Sequence, residues 1–132
     1  SSAASDVYKR QKMNSLNVRK HKHGGKRHME YTKLGNTDIE VSKLCVGCMS
    51  FGKAGTMHDW TLDEKQTDEM VAHALDLGIN FFDTANGYSA GTSEEYLGKA
   101  LKNHTTRDKV VIASKVYFNE GRLSQGAIFR EI

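Results

Sequence analysis

The chain has 132 residues, 38% of them hydrophobic and 27% charged, with a formal net charge of +3, the composition of a globular chain rather than a fibrous or low-complexity one. No apolar run approaches the roughly 18 residues of a membrane-spanning helix. Two cysteines make no disulfide framework, and the basic first residues lack the apolar core of a secretory signal, so a cytoplasmic protein is expected, with no membrane partner.

The charge is unevenly spread. Residues 1–28 hold eight Lys and Arg against Asp6 alone, which leaves eleven basic and fifteen acidic groups in the rest. The remainder is mildly acidic, so its expected partner is a small molecule and not nucleic acid. Residues 1–28 offer few sizeable apolar side chains (Val7, Tyr8, Met13, Leu16, Val18), and these follow neither the helix nor the strand period. The segment cannot offset its ordering entropy by burial and is read as a disordered, non-native basic tail. Asp6-Val7-Tyr8-Lys9-Arg10-Gln11 resembles a translated transposon-end adapter, and Met29 is the expected native start. A basic arm for nucleic acid is the alternative. His21, His23 and His28 have no fixed geometry for a metal, and no metal site is expected.

From Met29 onward the pattern becomes regular. Tyr31-Thr32-Lys33-Leu34 and Ile39-Glu40-Val41 flank the turn Gly35-Asn36-Thr37-Asp38, the signature of a hairpin, and one this small needs a surface to lie on. Leu44-Cys45-Val46-Gly47 is a compact strand entering a glycine-rich loop, Gly47 to Gly55. Cys45 and Cys48 have C-x-x-C spacing. Zinc would need a second pair, and a redox pair would normally open a helix, so two buried structural cysteines are expected. Thr61-Leu62-Asp63-Glu64 predicts a capping box with Trp60 as its staple. The helix that follows should reach Leu77, with Met70, Val71, Ala74 and Leu75 inward and Gly78 as its C-terminal stop.

Ile79, Phe81 and Phe82 form a short apolar strand that ends in Asp83. Gly87 and Gly91 flank a loop that carries Tyr88. Thr92-Ser93-Glu94-Glu95 predicts a second capping box, for a helix with Tyr96, Leu97, Ala100 and Leu101 inward and with Gly98 admitting a close neighbour. Lys109 to Lys115 is a strand whose unbroken Val-Val-Ile-Ala run predicts burial on both faces. Ser124 should cap a third helix.

Alternation of strand and helix means parallel strands. A doubly wound sheet accommodates three such units, but its Gly-x-Gly-x-x-Gly fingerprint is missing after the first strand. The expected fold class is α/β: the first three βα units of a TIM (β/α)8 barrel, preceded by the hairpin and left incomplete, since eight units need roughly 250 residues.

Two of these strands end in opposite charges. In such barrels chemistry is built at the C-terminal strand ends. Adjacent strands would bring Asp83 and Lys115 within ion-pair reach, with Tyr88 beside them. An ammonium stabilises the phenolate of a tyrosine, so Tyr88 could protonate a carbonyl oxygen in the transition state, while Asp83 holds the lysine. The set suits reduction of an aldehyde or ketone, with hydride from a cofactor. The same spacing equally fits an ordinary Asp–Lys pair at a barrel rim with a solvated tyrosine nearby.

Several runs resemble the aldo-keto reductase family: Tyr31-Thr32-Lys33-Leu34-Gly35, Gly47-Cys48-Met49-Ser50-Phe51-Gly52, Gly78-Ile79-Asn80-Phe81-Phe82-Asp83-Thr84-Ala85 with Tyr88, Glu94-Glu95-Tyr96-Leu97-Gly98, and Ile112-Ala113-Ser114-Lys115. They follow the family's order from Met29 to Ile132 and look most similar to its bacterial and potassium-channel-β-like branch. The resemblance implies a barrel with the hairpin at its N-terminal end and an NADP-dependent oxidoreductase acting on small carbonyl compounds. It implies Asp83, Tyr88 and Lys115 as three of four catalytic residues, with Gly47, Cys48, Met49 and Asp83 near bound NADPH and Trp60 and Tyr117 near the substrate. The fourth member, a histidine on the next strand, and the cofactor's phosphate loops would lie beyond Ile132, so residues 29–132 are expected to be the N-terminal part of the barrel and inactive alone. A non-catalytic cofactor-sensing or binding subunit on the same fold is the alternative.

Overall fold

The computed structural model describes residues 28–117 and 123–131; the expected tail, apart from His28, lies outside them. Strands β1 (Tyr31–Lys33) and β2 (Glu40–Ser42) form the predicted hairpin, with Tyr31 opposite Ser42 and Lys33 opposite Glu40. Its turn is closed by Leu34 N–H on Ile39 O at 2.9 Å. The surface that it needs is supplied by the chain around residue 80. Asn80 Oδ1 accepts from Ser42 N–H at 2.7 Å, and Asn80 Nδ2 donates to Glu40 O at 3.1 Å. Tyr31 Oη donates to Gly78 O at 2.6 Å.

Three parallel strands make the second sheet: β3 (Val46–Gly47), β4 (Phe81–Asp83) and β5 (Val111–Ala113), side by side in that order. Val46 and Gly47 pair with Phe82 and Asp83; Phe81, Phe82 and Asp83 pair with Val111, Ile112 and Ala113. The two crossovers carry helices α1 (Glu64–Asp76) and α2 (Thr92–His104), and a third helix, α3, spans Gln125–Glu131. Fully buried Phe82 shares one core with Val71 and Ala74 of α1 and with Leu97, Ala100 and Leu101 of α2. Both helices therefore lie on the same face of the sheet, as right-handed crossovers between strands added in one direction require. Among the described residues the sheet is open, with β3 and β5 at its edges.

Several local expectations are corrected. Helix α1 is capped by Asp63, not Thr61: Asp63 Oδ1 accepts from Gln66 N–H at 2.8 Å, and Gln66 Oε1 accepts from Asp63 N–H at 3.1 Å. The backbone explains the shift. Phe51 and Leu62 form a parallel bridge, Leu62 N–H donates to Ser50 O at 2.7 Å, and Gly52 N–H donates to Leu62 O at 3.0 Å. Residue 62 is thus held extended, and the helix can begin only after it. Trp60 is 57% exposed and stacks on His58 rather than stapling the helix. Met70 is exposed, and the inward row is Thr67, Val71 and Ala74. Gly78, at φ +85°, ends α1 as expected.

Helix α2 has no side-chain cap; Gly91, at φ +92°, precedes it. The Thr92 hydroxyl is engaged elsewhere, donating to Ser89 O at 2.6 Å and accepting from Lys53 N–H at 2.8 Å. Gly98 is exposed, with open space where a side chain would begin. Strand β5 is half-buried rather than covered on both faces. Ser124 does cap α3, its Oγ accepting from Ala127 N–H at 3.3 Å. No helix among the described residues is long and apolar enough to cross a membrane.

Candidate active site

The register sets the site. Gly47 and Asp83 are neighbours at the C-terminal ends of β3 and β4. Beyond the strands, β4 and β5 stay side by side: Thr84 N–H donates to Ala113 O at 2.8 Å, and Asn86 N–H donates to Lys115 O at 3.1 Å. This continued pairing brings Lys115 to Asp83. Lys115 Nζ lies 2.8 Å from both carboxylate oxygens and 2.9 Å from Thr84 O, so its three N–H donors have three acceptors.

The same ammonium stands 5.2 Å from the centre of the Tyr88 ring. Asp83 foremost, and the Tyr88 hydroxyl in addition, hold Lys115 charged above the ordinary lysine value, against a smaller opposing effect of burial. The Lys115 and Asp83 side chains are 50% and 40% exposed. A pair this wet contributes only about 0–1 kcal/mol to folding, which suits placement of charge better than support of the fold.

Tyr88 opens a tight turn over Tyr88–Gly91 in which Ser89 and Ala90 have left-handed backbones, φ 49° and 54°. Each such non-glycine residue costs about 1–2 kcal/mol and persists only where its surroundings hold it. Beneath the mouth runs a buried hydroxyl chain: Ser93 Oγ donates to Cys48 O at 2.7 Å and lies 3.2 Å from Thr84 Oγ1. It ties the loop after β3, the end of β4 and the first turn of α2 together. In the sequence Ser93 is marked only as part of a capping pattern and Thr84 only within a strand run, and Ser89 carries no mark; none of the three announces a buried hydroxyl of the site.

The remaining predicted site residues divide by exposure. Gly47 is exposed, with nothing within 4 Å of where a Cβ would stand, and Met49 is exposed beside it. Cys48 is fully buried in the core, backbone and side chain together, and its carbonyl accepts from Ser93 Oγ, so among the predicted cofactor neighbours it is the one not open to a ligand. Cys45 is exposed, which corrects the expectation that both cysteines are buried. Burial first, then the neighbouring Cys45 and Asp83, push the Cys48 thiol up to about 12. Burial, with Asp83 next, raises Cys45 as well. Neither sulfur is an activated thiolate. Tyr117 is exposed two residues past Lys115. Among the described residues no group of His, Cys, Asp and Glu is placed to hold a metal. A cavity of about 430 Å³ lies at the opposite ends of the strands, lined by Met29, Leu44, Leu77 and Ile79 together with His28 and the exposed Lys43–Glu30 ion pair, away from Asp83, Tyr88 and Lys115.

The profile of the Aldo/keto reductase family matches residues 43–132. The chain is 46% identical over 87 residues to aldo-keto reductase YhdN of Bacillus subtilis, covering 66% of this chain and 25% of that protein. It is 44% identical over 91 residues to versiconal hemiacetal acetate reductase of Aspergillus parasiticus, covering 68% and 26%. The chain thus spans about a quarter of the length of these relatives. Among solved structures it is similar to the holo form of aldo-keto reductase AKR11C1 from Bacillus halodurans, with TM-score 0.56 and 37% identity over 74% of this chain and 30% of that one. It is also similar to the thermostable aldo-keto reductase Tm1743 in complex with the inhibitor epalrestat, with TM-score 0.62 and 31% identity over 77% and 35%. These neighbours are TIM barrels, in keeping with the parallel sheet and the helices on one of its faces. The profile match over two thirds of the chain places it in the aldo/keto reductase family.

Proposed function

We propose that residues 29–132 are the N-terminal part of an NADPH-dependent reductase barrel that converts aldehydes or ketones to alcohols. The observation that carries this reading is the Lys115 ammonium, gripped by both Asp83 oxygens at 2.8 Å and set 5.2 Å from the Tyr88 ring at the C-terminal strand ends. Tyr88 donates the proton that turns a carbonyl oxygen into a hydroxyl. The Lys115 charge offsets the negative charge left on the phenol, and Asp83 with Thr84 O fixes where that charge stands. Delivering a proton from a placed acid contributes about 10²- to 10⁴-fold in rate.

The residues present fit a flat cofactor ring. Gly47 leaves its backbone open beside Asp83, and exposed Met49 adds an apolar edge. A reduced nicotinamide bound there would supply the hydride that no side chain can. The names of the relatives, a hemiacetal acetate reductase among them, support a small carbonyl compound as substrate.

The test is Tyr88→Phe in the full-length protein that carries this sequence. Carbonyl-dependent oxidation of NADPH is expected to fall about 10²- to 10⁴-fold, while NADPH binding, followed by its fluorescence, is kept. Turnover within twofold of wild type would overturn the reading.

A further inference from the structure

We propose that Ser89 is the residue that positions Tyr88. The inference rests on the catalytic reading of Tyr88, but its geometry stands independently. The Tyr88 amide is held from within its own loop, donating to Ala85 O at 3.1 Å. On its N-terminal side that loop is held to the sheet by Asn86 N–H on Lys115 O; on its C-terminal side the tie to the core comes at the next residue. Ser89 is fully buried, and its Oγ donates to Phe51 O at 3.1 Å. Its carbonyl accepts from Thr92 Oγ1 at 2.6 Å, and the same Thr92 oxygen accepts from Lys53 N–H at 2.8 Å. Ser89 is therefore gripped at both its side chain and its carbonyl.

The fit at this point leaves no slack. A Cβ on Gly52 would stand 2.3 Å from Ser89 Cβ, 2.6 Å from Ser89 Oγ and 2.8 Å from Thr92 Oγ1. The Phe51–Gly52 segment is itself fixed, since Phe51 is buried in the core and both residues are tied to Leu62. A left-handed serine at φ 49° is a poor local choice that this socket enforces. The direction in which the chain leaves Tyr88 is thus dictated by the core, and with it the place of the phenol relative to Lys115. Ser89 touches none of the proposed reacting atoms. It acts through Tyr88.

The test has two arms. In the first, this 132-residue chain is labelled with ¹³C at the tyrosine rings, and the Tyr88 signal is assigned by its loss in Tyr88→Phe. Lys115→Met should shift the Tyr88 signal, because the ammonium stands over the ring. In Ser89→Ala that response is expected to shrink by more than about half, as the phenol moves away from the charge. Ser89→Cys, which keeps the size and a weak donor, should recover part of it. Thr92→Val should reproduce the loss and Thr92→Ser should not. A full response in Ser89→Ala and Thr92→Val overturns the proposal. Should Ser89→Ala fail to fold by circular dichroism, the comparison of Thr92→Val with Thr92→Ser decides.

In the second arm, kcat of full-length Ser89→Ala is expected to fall by about 10²-fold, the effect of misplacing a reacting group by about 1 Å, with KM little changed. A purely structural serine would lower the melting temperature and leave kcat per folded molecule intact, and that result overturns the proposal. If Tyr88→Phe retains turnover, the reductase reading fails while the ring response still judges the positioning. If Tyr88→Phe is inactive and Ser89→Ala has wild-type kcat, the positioning alone fails.

Discussion

Lys115 shows why the magnitude of an interaction matters more than its presence. Its contacts with Asp83 are short and bidentate, yet both side chains are about half in water. Lys115→Met is therefore expected to change the unfolding free energy by less than about 1 kcal/mol at pH 7, while kcat of the full-length protein falls by at least about tenfold. The pair's contribution has a defined pH window. The folded-state value is raised above the ordinary 10.5, so the stabilisation is fully present below about 10.5 and is lost as pH rises through the raised value. Urea unfolding of wild type and Lys115→Met should differ slightly at pH 7 and converge in strong alkali. A gap that widens with rising pH would contradict this account of the pair.

At the scale of elements, α1 and α2 are joined by a polar clamp as well as by their apolar faces. Asp68 Oδ1 accepts from Asn103 Nδ2 at 2.9 Å, and Asp68 Oδ2 lies 2.8 Å from His104 Nε2. Asn103 first, then His104, hold the Asp68 carboxyl below its ordinary 3.8. Its stabilisation is present above 3.8 and is lost as pH falls through the lowered folded value. Asp68→Asn should flatten that part of the acid unfolding curve, measured by circular dichroism between pH 5 and about 2. An unaltered curve would show that the clamp is idle. The elements themselves were largely legible in the sequence, because alternation of apolar runs and the glycine at position 78 are local signals. The helix starts were less so. Thr61-x-x-Glu64 and Asp63-x-x-Gln66 both satisfy the capping pattern, and only the bridge between Phe51 and Leu62, a contact between residues distant in sequence, decides between them. The candidate site divides in the same way. Asp83 and Lys115 announce themselves as charges at strand ends, whereas the Ser89 socket depends on Gly52, 37 positions earlier in the chain, and has no local mark.

At the largest scale, the described residues separate the docking of the hairpin from the proposed chemistry along the strands. The hairpin is bolted to the N-terminal end of β4 by Asn80 and Tyr31, and the charged groups meet at the other end, as in barrels generally. Asn80→Ala removes two side-chain bonds, a loss of about 1–3 kcal/mol, yet it leaves the core of Phe82, Val71 and Leu97 untouched. Hydrogen exchange should quicken across Tyr31–Ser42 and remain slow in α1 and α2. Uniform loss of protection would mean that the hairpin is part of the core rather than a docked piece.

The two thiols offer a built-in reporter. Cys45 is open to solvent, whereas Cys48 is sealed in the core with its proton held to about 12. An alkylating reagent at neutral pH should label Cys45 first and stall at Cys48, whose labelling then proceeds only at the pace of local opening around β3. Because Cys48 O also receives Ser93, that slow rate clocks how often the floor beneath Asp83 and Tyr88 comes apart. Equal labelling of both cysteines would mean that the floor is open most of the time.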